Sequence, residues 1–175
     1  MSTPPYEELL SADQIRRRVS ELGHEITDRY RSAESLVVVG ILKGSFVFLA
    51  DLIRQIDLTV EIELMSVMSY GEATKSSGHV RVLMDLQRDI QYQEVLIVED
   101  IVDTGRTIAY LAASLRQRNP ASLSVCTLLD KPSKREVEVT PEYIGFEIPD
   151  QFVVGYGLDH AQKHRNLPNI VVLDT

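Results

Sequence analysis

Tryptophan is absent from the 175-residue chain, cysteine occurs once, and 18 Lys and Arg stand against 26 Asp and Glu. Each shortfall excludes something. A lone Cys126 cannot close an internal disulfide, and its place in the apolar run SLSVCTLL reads as a small buried thiol in a reducing, cytoplasmic setting. The net charge of −8 argues against a protein whose main partner is the nucleic-acid backbone, a surface met by an excess of Lys and Arg. The apolar run of residues 35–42 falls far short of the roughly 18 apolar residues a membrane-spanning helix needs. The first residues carry no apolar stretch of signal-peptide length either, so neither membrane nor export is expected. What remains is ordinary for a globular protein, 44% hydrophobic and 25% charged, with room for one compact domain over residues 1–175.

Periodicity then orders the chain. Ser11 and Gln14 have capping-box spacing, and Ile15, Val19, Leu22, Ile26 and Tyr30 follow at helical steps, with Arg16, Arg17 and Arg18 as the expected solvated face. Residues 36–42 (LVVVGIL) read as a strand buried on both faces, followed by a tight KGS turn and a helix over 45–56. Val60, Ile62 and Leu64 alternate with acids as a strand, and so do Val80, Val82 and Met84. Between them, residues 69–78 (SYGEATKSSG) read as an exposed loop with Tyr70 its one large apolar residue. A buried strand over 94–100 ends in two acids, a helix over 104–119 turns Ile108, Leu111, Ala112 and Leu115 inward, and Asn119-Pro120 stops it. Further strands are expected at 123–129, 143–146, 152–154 and 170–173. The alternation of strand and helix predicts an α/β domain with a parallel sheet, whose ligands bind at the carboxyl ends of the strands.

At such an end lies the strongest signal, VLIVEDIVDTGRT at 95–107. Gly105 permits close backbone approach, and Thr104 and Thr107 add hydroxyls to helix-terminal N–H groups, so the turn suits a phosphate. Glu99 and Asp100 beside it suit sugar hydroxyls or magnesium. A phosphorylated sugar satisfies both halves. The bland reading of Asp103 as a helix cap leaves the two acids unexplained. Other nucleotide motifs fit worse: GILKGS at 40–45 breaks the Walker spacing, and Gly155-Tyr156-Gly157 lacks the third glycine of a dinucleotide fingerprint. His160 and His164 have a helix-compatible metal spacing, but no third ligand accompanies them as zinc would need.

The sequence resembles the 6-oxopurine phosphoribosyltransferases, most closely the bacterial hypoxanthine (hypoxanthine-guanine) type, over nearly its whole length. Four separated pieces in the family's order carry the resemblance: GILKGS at 40–45, MSYGEATKSSG at 68–78, VLIVEDIVDTGRT at 95–107, and FVVGYGLD with Arg165 six residues after Asp159. It implies the type I phosphoribosyltransferase fold, a central, mainly parallel sheet flanked by helices, with a small hood built from terminal segments. By the same resemblance Glu99 and Asp100 face the ribose of phosphoribosyl pyrophosphate, and Asp103, Thr104, Gly105, Arg106 and Thr107 wrap its 5′-phosphate. Asp103 also serves purine N7 as general acid or base. Leu42, Lys43 and Gly44 match the pyrophosphate loop, often holding a non-proline cis peptide in this family, and Arg165 grips the same group. Lys131 matches the donor to the 6-oxo group, Phe152 the stacking ring, Val153 a backbone contact to the base edge, and Asp159 the acid near the exocyclic position. Mg2+ is the implied cofactor, held by Glu99, Asp100 and Asp159, and Ser69 and Tyr70 the implied lid over pyrophosphate.

The resemblance also implies a homodimer or homotetramer acting in purine salvage. The two histidines depart from relatives, which often have aromatic residues there. The competing class is a non-catalytic regulator of the same fold that senses phosphoribosyl pyrophosphate and binds nucleic acid. Asp103 and Lys131 disfavour it.

Overall fold

A computed structural model of the chain describes residues 6–69 and 80–173. Tyr70 and the rest of the expected lid lie outside the described residues, and Ser69 is the last residue of its strand. Two sheets form: β1 (Glu7–Leu10), β9 (Ile170–Val172) and β8 (Val153–Val154) in the order β1-β9-β8, and six strands in the order β4-β3-β2-β5-β6-β7. The larger comprises β2 (Leu36–Leu42), β3 (Val60–Ser69), β4 (Val80–Met84), β5 (Glu94–Val102), β6 (Ser122–Asp130) and β7 (Tyr143–Glu147). All its pairings are parallel except the edge pair of β3 with β4.

The unbroken apolar run of β2 follows from its central place. Leu36 and Val38 face α1 (Ala12–Arg29) and α2 (Phe46–Ile53), packing with Val19, Leu22, Phe48 and Leu52. Val37, Val39 and Ile41 face the other way and pack with Ile108, Leu111 and Leu115 of α3 (Arg106–Arg116). Side chains alternate across a strand, so a strand between two helical layers must be apolar at both parities. Each such fully buried aliphatic chain contributes on the order of 1.5–3 kcal/mol.

At α1 the expected capping box is present, with Ser11 and Gln14 bonded reciprocally. Arg18 corrects the expectation of a solvated arginine face: it is half-buried and donates to the carbonyls of Ile144 at 2.9 Å and Gly145 at 3.1 Å, while Glu21 and Glu25 balance its charge. The reason is that these carbonyls lie on β7, the last strand of the sheet, whose outer edge pairs with no further strand among the described residues. The smaller sheet is the expected hood of terminal segments. Its strand β1 is absent from the sequence reading because EELL has no alternation and its partner β9 lies at the other end of the chain. The third helix spans Arg106–Arg116 rather than 104–119, since residues 103–105 form a turn instead of a first helical turn. Among the described residues no helix is long and apolar enough to cross a membrane.

Candidate active site

Parallel pairing of β2 with β5, in register as far as Gly40 opposite Val98, brings two loops side by side at the carboxyl end of the sheet. From β2 comes Leu42-Lys43-Gly44, with the expected cis peptide between Leu42 and Lys43. From β5 come Glu99 and Asp100. Together with Thr107, Asp159 and Arg165 these residues line one cleft of about 290 Å³. A larger cleft of about 720 Å³ lies between α1, α2 and residues 165–168, but its walls are mainly apolar, with Ile15, Val19, Phe46, Val47, Leu167 and Pro168 prominent. The smaller cleft, which gathers Lys43, Glu99, Asp100, Asp159 and Arg165 and is the more polar of the two, is the candidate site.

Gly44 is set by close approach. A Cβ there would fall on the Asp100 carboxylate, a contact no rotamer of Gly44 can avoid because Cβ is fixed to the backbone. Gly44→Ala is therefore expected to push the Leu42–Gly44 loop or Asp100 out of place. Displacements near 1 Å cost about 10²-fold in rate, so kcat/KM for the substrate held by this loop should fall by about that factor. Steady-state kinetics check it, and wild-type values would show the loop free to give way.

Glu99 is buried and carries no cationic partner among the described residues. Burial, and then the charge of Asp100, push its carboxyl well above the ordinary value of 4.5. The folded protein thus keeps this proton longer than the unfolded chain does, and stability is lost as pH rises from the ordinary carboxyl range through the raised value. Glu99→Gln removes that cost. The ligand-free variant is expected to melt about 2–4 °C higher at pH 7.5, with the gap narrowing at pH 4.5. Thermal scans at both pH values check this, and a lower melting temperature at pH 7.5 would contradict it.

The turn after β5 is held by Gly105, which precedes α3 with φ +84°, a left-handed conformation that favours glycine. Gly105 is itself the residue capping α3, and the side chain that accepts from its first turn is Thr104, whose Oγ1 takes the Arg106 N–H at 3.4 Å, so the bland role for Asp103 falls away. Asp103 is exposed and stands three residues beyond Asp100. The first-turn N–H groups of a helix have no intrahelical acceptors and favour an anion; at α3 that of Arg106 bonds to Thr104 Oγ1. The Arg106 guanidinium pairs with Glu136 at 2.6 Å.

Arg165 reaches the cleft through a turn that the sequence reading treated as a weak fingerprint. It pairs with Asp159 at 2.7 Å and donates to the Gly157 carbonyl at 2.7 Å. The backbone N–H of Tyr156 bonds to the Leu167 carbonyl at 2.8 Å, and its hydroxyl donates to Asp51 of α2 at 2.5 Å. Burial and that carboxylate push the phenol upward, so it remains a donor.

The other expected residues sit at the ends of β6 and β8. Lys131, which follows β6, is buried, its ammonium 3.9 Å from Asp150. Phe152 is 44% exposed, its ring edge-on to His160 with centroids 5.4 Å apart, while Val153 is buried and pairs with Val172 in the hood. The spacing of His160 and His164 is not helical. His160 and Lys163 form an isolated bridge, with positive φ at Ala161, Gln162 and His164, and the His164 ring stands edge-on to Tyr6 at 5.6 Å. The two rings thus meet different aromatic partners. Arg135, not among the residues expected at the site, is mostly buried against Asp130, five residues before it, and also reaches the Asp103 carbonyl, which no local pattern signals.

A family model described as phosphoribosyl transferase domain matches residues 5–161. The hypoxanthine phosphoribosyltransferase of Haemophilus influenzae is 55% identical over 170 residues, 95% of each chain. The hypoxanthine-guanine phosphoribosyltransferase of Bacillus subtilis is 47% identical over 165 residues, 94% of this chain and 91% of that protein. Among solved structures, a hypoxanthine-guanine phosphoribosyltransferase of Bacillus anthracis, with HEPES in its active site, superposes with a TM-score of 0.91 at 45% identity, covering 96% of this chain and 98% of its own.

Proposed function

For this chain, which belongs to the phosphoribosyl transferase family and acts as a purine-salvage transferase of the hypoxanthine and hypoxanthine-guanine type, we propose a residue-by-residue assignment of the site. The reaction moves the 5-phosphoribosyl group of phosphoribosyl pyrophosphate to N9 of hypoxanthine or guanine, giving IMP or GMP and pyrophosphate. The observation that carries the assignment is the single cleft in which the Leu42–Gly44 loop, Glu99, Asp100, Thr107, Asp159 and Arg165 converge from four separate parts of the chain.

The phosphate half of the substrate goes to the 103–107 turn, where α3 offers N–H groups and Thr104 and Thr107 offer hydroxyls. The ribose goes to Glu99 and Asp100. Pyrophosphate goes to Lys43, the Gly44 backbone and Arg165, whose charges act on the oxygens where negative charge grows as the anomeric C–O bond breaks. On the other side of the anomeric carbon the purine stacks on Phe152, takes a bond from Lys131 at its 6-oxo group and meets the backbone at Val153. N9 displaces pyrophosphate, and Asp103 takes the proton from N7. No covalent enzyme intermediate is needed.

The carboxylates of Glu99, Asp100 and Asp159 are hard oxygen donors in or beside the same cleft and fit Mg2+. The described residues contain no group of three or more His, Cys, Asp or Glu able to hold a metal on their own. Mg2+ generally keeps several waters and is bound through one or two carboxylates together with substrate phosphates. When bound it would neutralise charge on the leaving pyrophosphate.

Self-association into a homodimer or homotetramer is part of the same proposal. Phe46 on α2 and Ile62 and Leu64 on β3 leave 46%, 40% and 38% of their surfaces exposed, and Leu64 approaches Gly40 beside Leu49 of α2. Such apolar surface favours cover. The lone buried Cys126 suits a reducing compartment, the cytoplasm.

Turnover with phosphoribosyl pyrophosphate and each purine base tests the reading. Hypoxanthine or guanine is expected to react and adenine, which lacks the 6-oxo acceptor for Lys131, to be rejected. Binding of phosphoribosyl pyrophosphate without turnover of any base would instead identify a sensor.

A further inference from the structure

The strands β5 and β6 run paired to their last rung, Val102 opposite Asp130, and the N–H of Lys131 still bonds to the Val102 carbonyl at 2.9 Å. There the ladder ends and the chains splay, one into the 103–107 turn and the other into Lys131 and the short 3-10 turn Pro132–Lys134. The next carbonyl on β5's side, that of Asp103, is taken by no backbone N–H across the gap. Arg135 takes it, through Nη1 at 2.7 Å, while its Nη2 pairs with the Asp130 carboxylate. One guanidinium thus bridges the splay. Both partners are withdrawn from water, with 16% of the Arg135 side chain and 5% of the Asp130 side chain exposed.

The neighbours of Arg135 tighten the same point. The N–H groups of Glu136 and Val137 converge on the Thr104 carbonyl at 2.9 and 3.2 Å. The Arg135 Cδ lies 2.9 Å from where a Cβ on Gly105 would stand, so the arginine stem packs under the turn. Asp130 is fixed in its turn, its carbonyl accepting from the Ile148 N–H at 2.9 Å.

Chemistry gives the bridge a purpose. N7 and the 6-oxo group sit on one edge of a purine at a separation set by the fused rings. A carboxylate serving N7 and an ammonium serving the oxo group must therefore keep a matching separation. Asp103 is one residue past the end of β5, and Lys131 one residue past the end of β6; the Lys131 N–H still bonds to the Val102 carbonyl, but the Asp103 carbonyl, one residue further on, takes its donor from Arg135 and not from the ladder. We propose that Arg135 is a positioning residue: by tying the Asp103 backbone to Asp130, it sets the spacing of Asp103 and Lys131 that recognition of a 6-oxopurine requires. This inference rests on the roles assigned to Asp103 and Lys131 above. A planar fork bonded at two points suits the task, whereas a lysine ammonium at the same place satisfies one partner at a time.

Steady-state kinetics in both substrates, with melting curves, test it on Arg135→Met, Arg135→Lys, Asp130→Asn/Arg135→Met, Asp103→Asn, and Asp103→Asn combined with Arg135→Met. Arg135→Met strands a buried carboxylate and is expected to melt lower; the Asp130→Asn/Arg135→Met pair removes that charge and should recover the melting temperature. A purely structural role would recover activity with it. The proposal expects otherwise: in the paired variant kcat/KM for hypoxanthine stays about 10²-fold low, the scale for a misplacement near 1 Å, while KM for phosphoribosyl pyrophosphate moves less than about threefold. Arg135→Lys keeps Asp130 paired and the fold intact, and should lie between wild type and Arg135→Met. Adding Arg135→Met to Asp103→Asn should cost little more than Asp103→Asn alone, because both disable one group. Wild-type kcat/KM in the folded paired variant or in Arg135→Lys, or an equal loss for both substrates, overturns the inference. Wild-type turnover by Asp103→Asn would instead overturn the assignment of Asp103 on which it rests.

Discussion

Asp103→Asn is expected to lower kcat for hypoxanthine by roughly 10²- to 10⁴-fold, the range for loss of a positioned general acid or base. The change is close to isosteric, and the structure leaves it little else to disturb. Asp103 is exposed, and α3 starts at the Gly105 cap with its Arg106 N–H on Thr104 Oγ1, not on Asp103. The backbone at 103 is held by Arg135 through the carbonyl, which asparagine retains. Melting temperature and affinity for phosphoribosyl pyrophosphate should therefore stay near wild type while the proton step slows. The measurement is kcat with each substrate saturating, beside direct titration of phosphoribosyl pyrophosphate. A variant that turns over normally but melts lower would reduce Asp103 to a structural residue, contrary to the capping geometry.

Turnover is expected to fall to background when magnesium is chelated, and to return when it is restored. The charge of the cleft is the reason. Two cations, Lys43 and Arg165, line it against three carboxylates, Glu99, Asp100 and Asp159, and Arg165 is already paired with Asp159. A sugar bearing a phosphate and a pyrophosphate brings a charge on the order of −4. Even with Glu99 holding its proton, as its burial favours, the cleft offers no surplus of positive charge to receive that anion. Unscreened repulsion between unit charges 4 Å apart is about 4 kcal/mol in a partly wet site, so several such pairs would exclude the substrate. A divalent cation entering with the pyrophosphate reverses the sign. Assays in excess chelator, with and without added magnesium, measure this; full turnover under chelation would mean that the protein's own cations suffice.

Much of the molecule could be read along the chain because its cause is local. Alternation and unbroken apolar runs marked β2, β5 and β6 correctly, and the Ser11–Gln14 box marked the start of α1. The motif at 95–107 carried both the phosphate turn and the acids beside it in one continuous stretch. What failed locally failed for a shared reason. Strand β1, the inward turn of Arg18 and the bond from Arg135 to the Asp103 carbonyl are each decided by partners far away in sequence, on β9, on β7 and just past the end of β5. The periodicity of a segment reports which face is buried, but not which distant carbonyl lacks a donor. His160 and His164 show the converse: a spacing that fits a helix lies on a turn, where three residues take positive φ and the two rings meet different aromatic partners. Composition and local pattern by themselves determined the α/β layering, the strand ends that bear the acids, and the phosphate turn, since these need only side-chain polarity and spacing. Tertiary structure decided that Gly44 has no room for a side chain beside Asp100, that Arg165 faces Lys43 across one cleft, and that Arg135 spans the gap between β5 and β6. Each depends on groups that the sheet brings together from separate stretches: Gly44 with Asp100, Lys43 with Arg165, and the Asp103 carbonyl with Arg135.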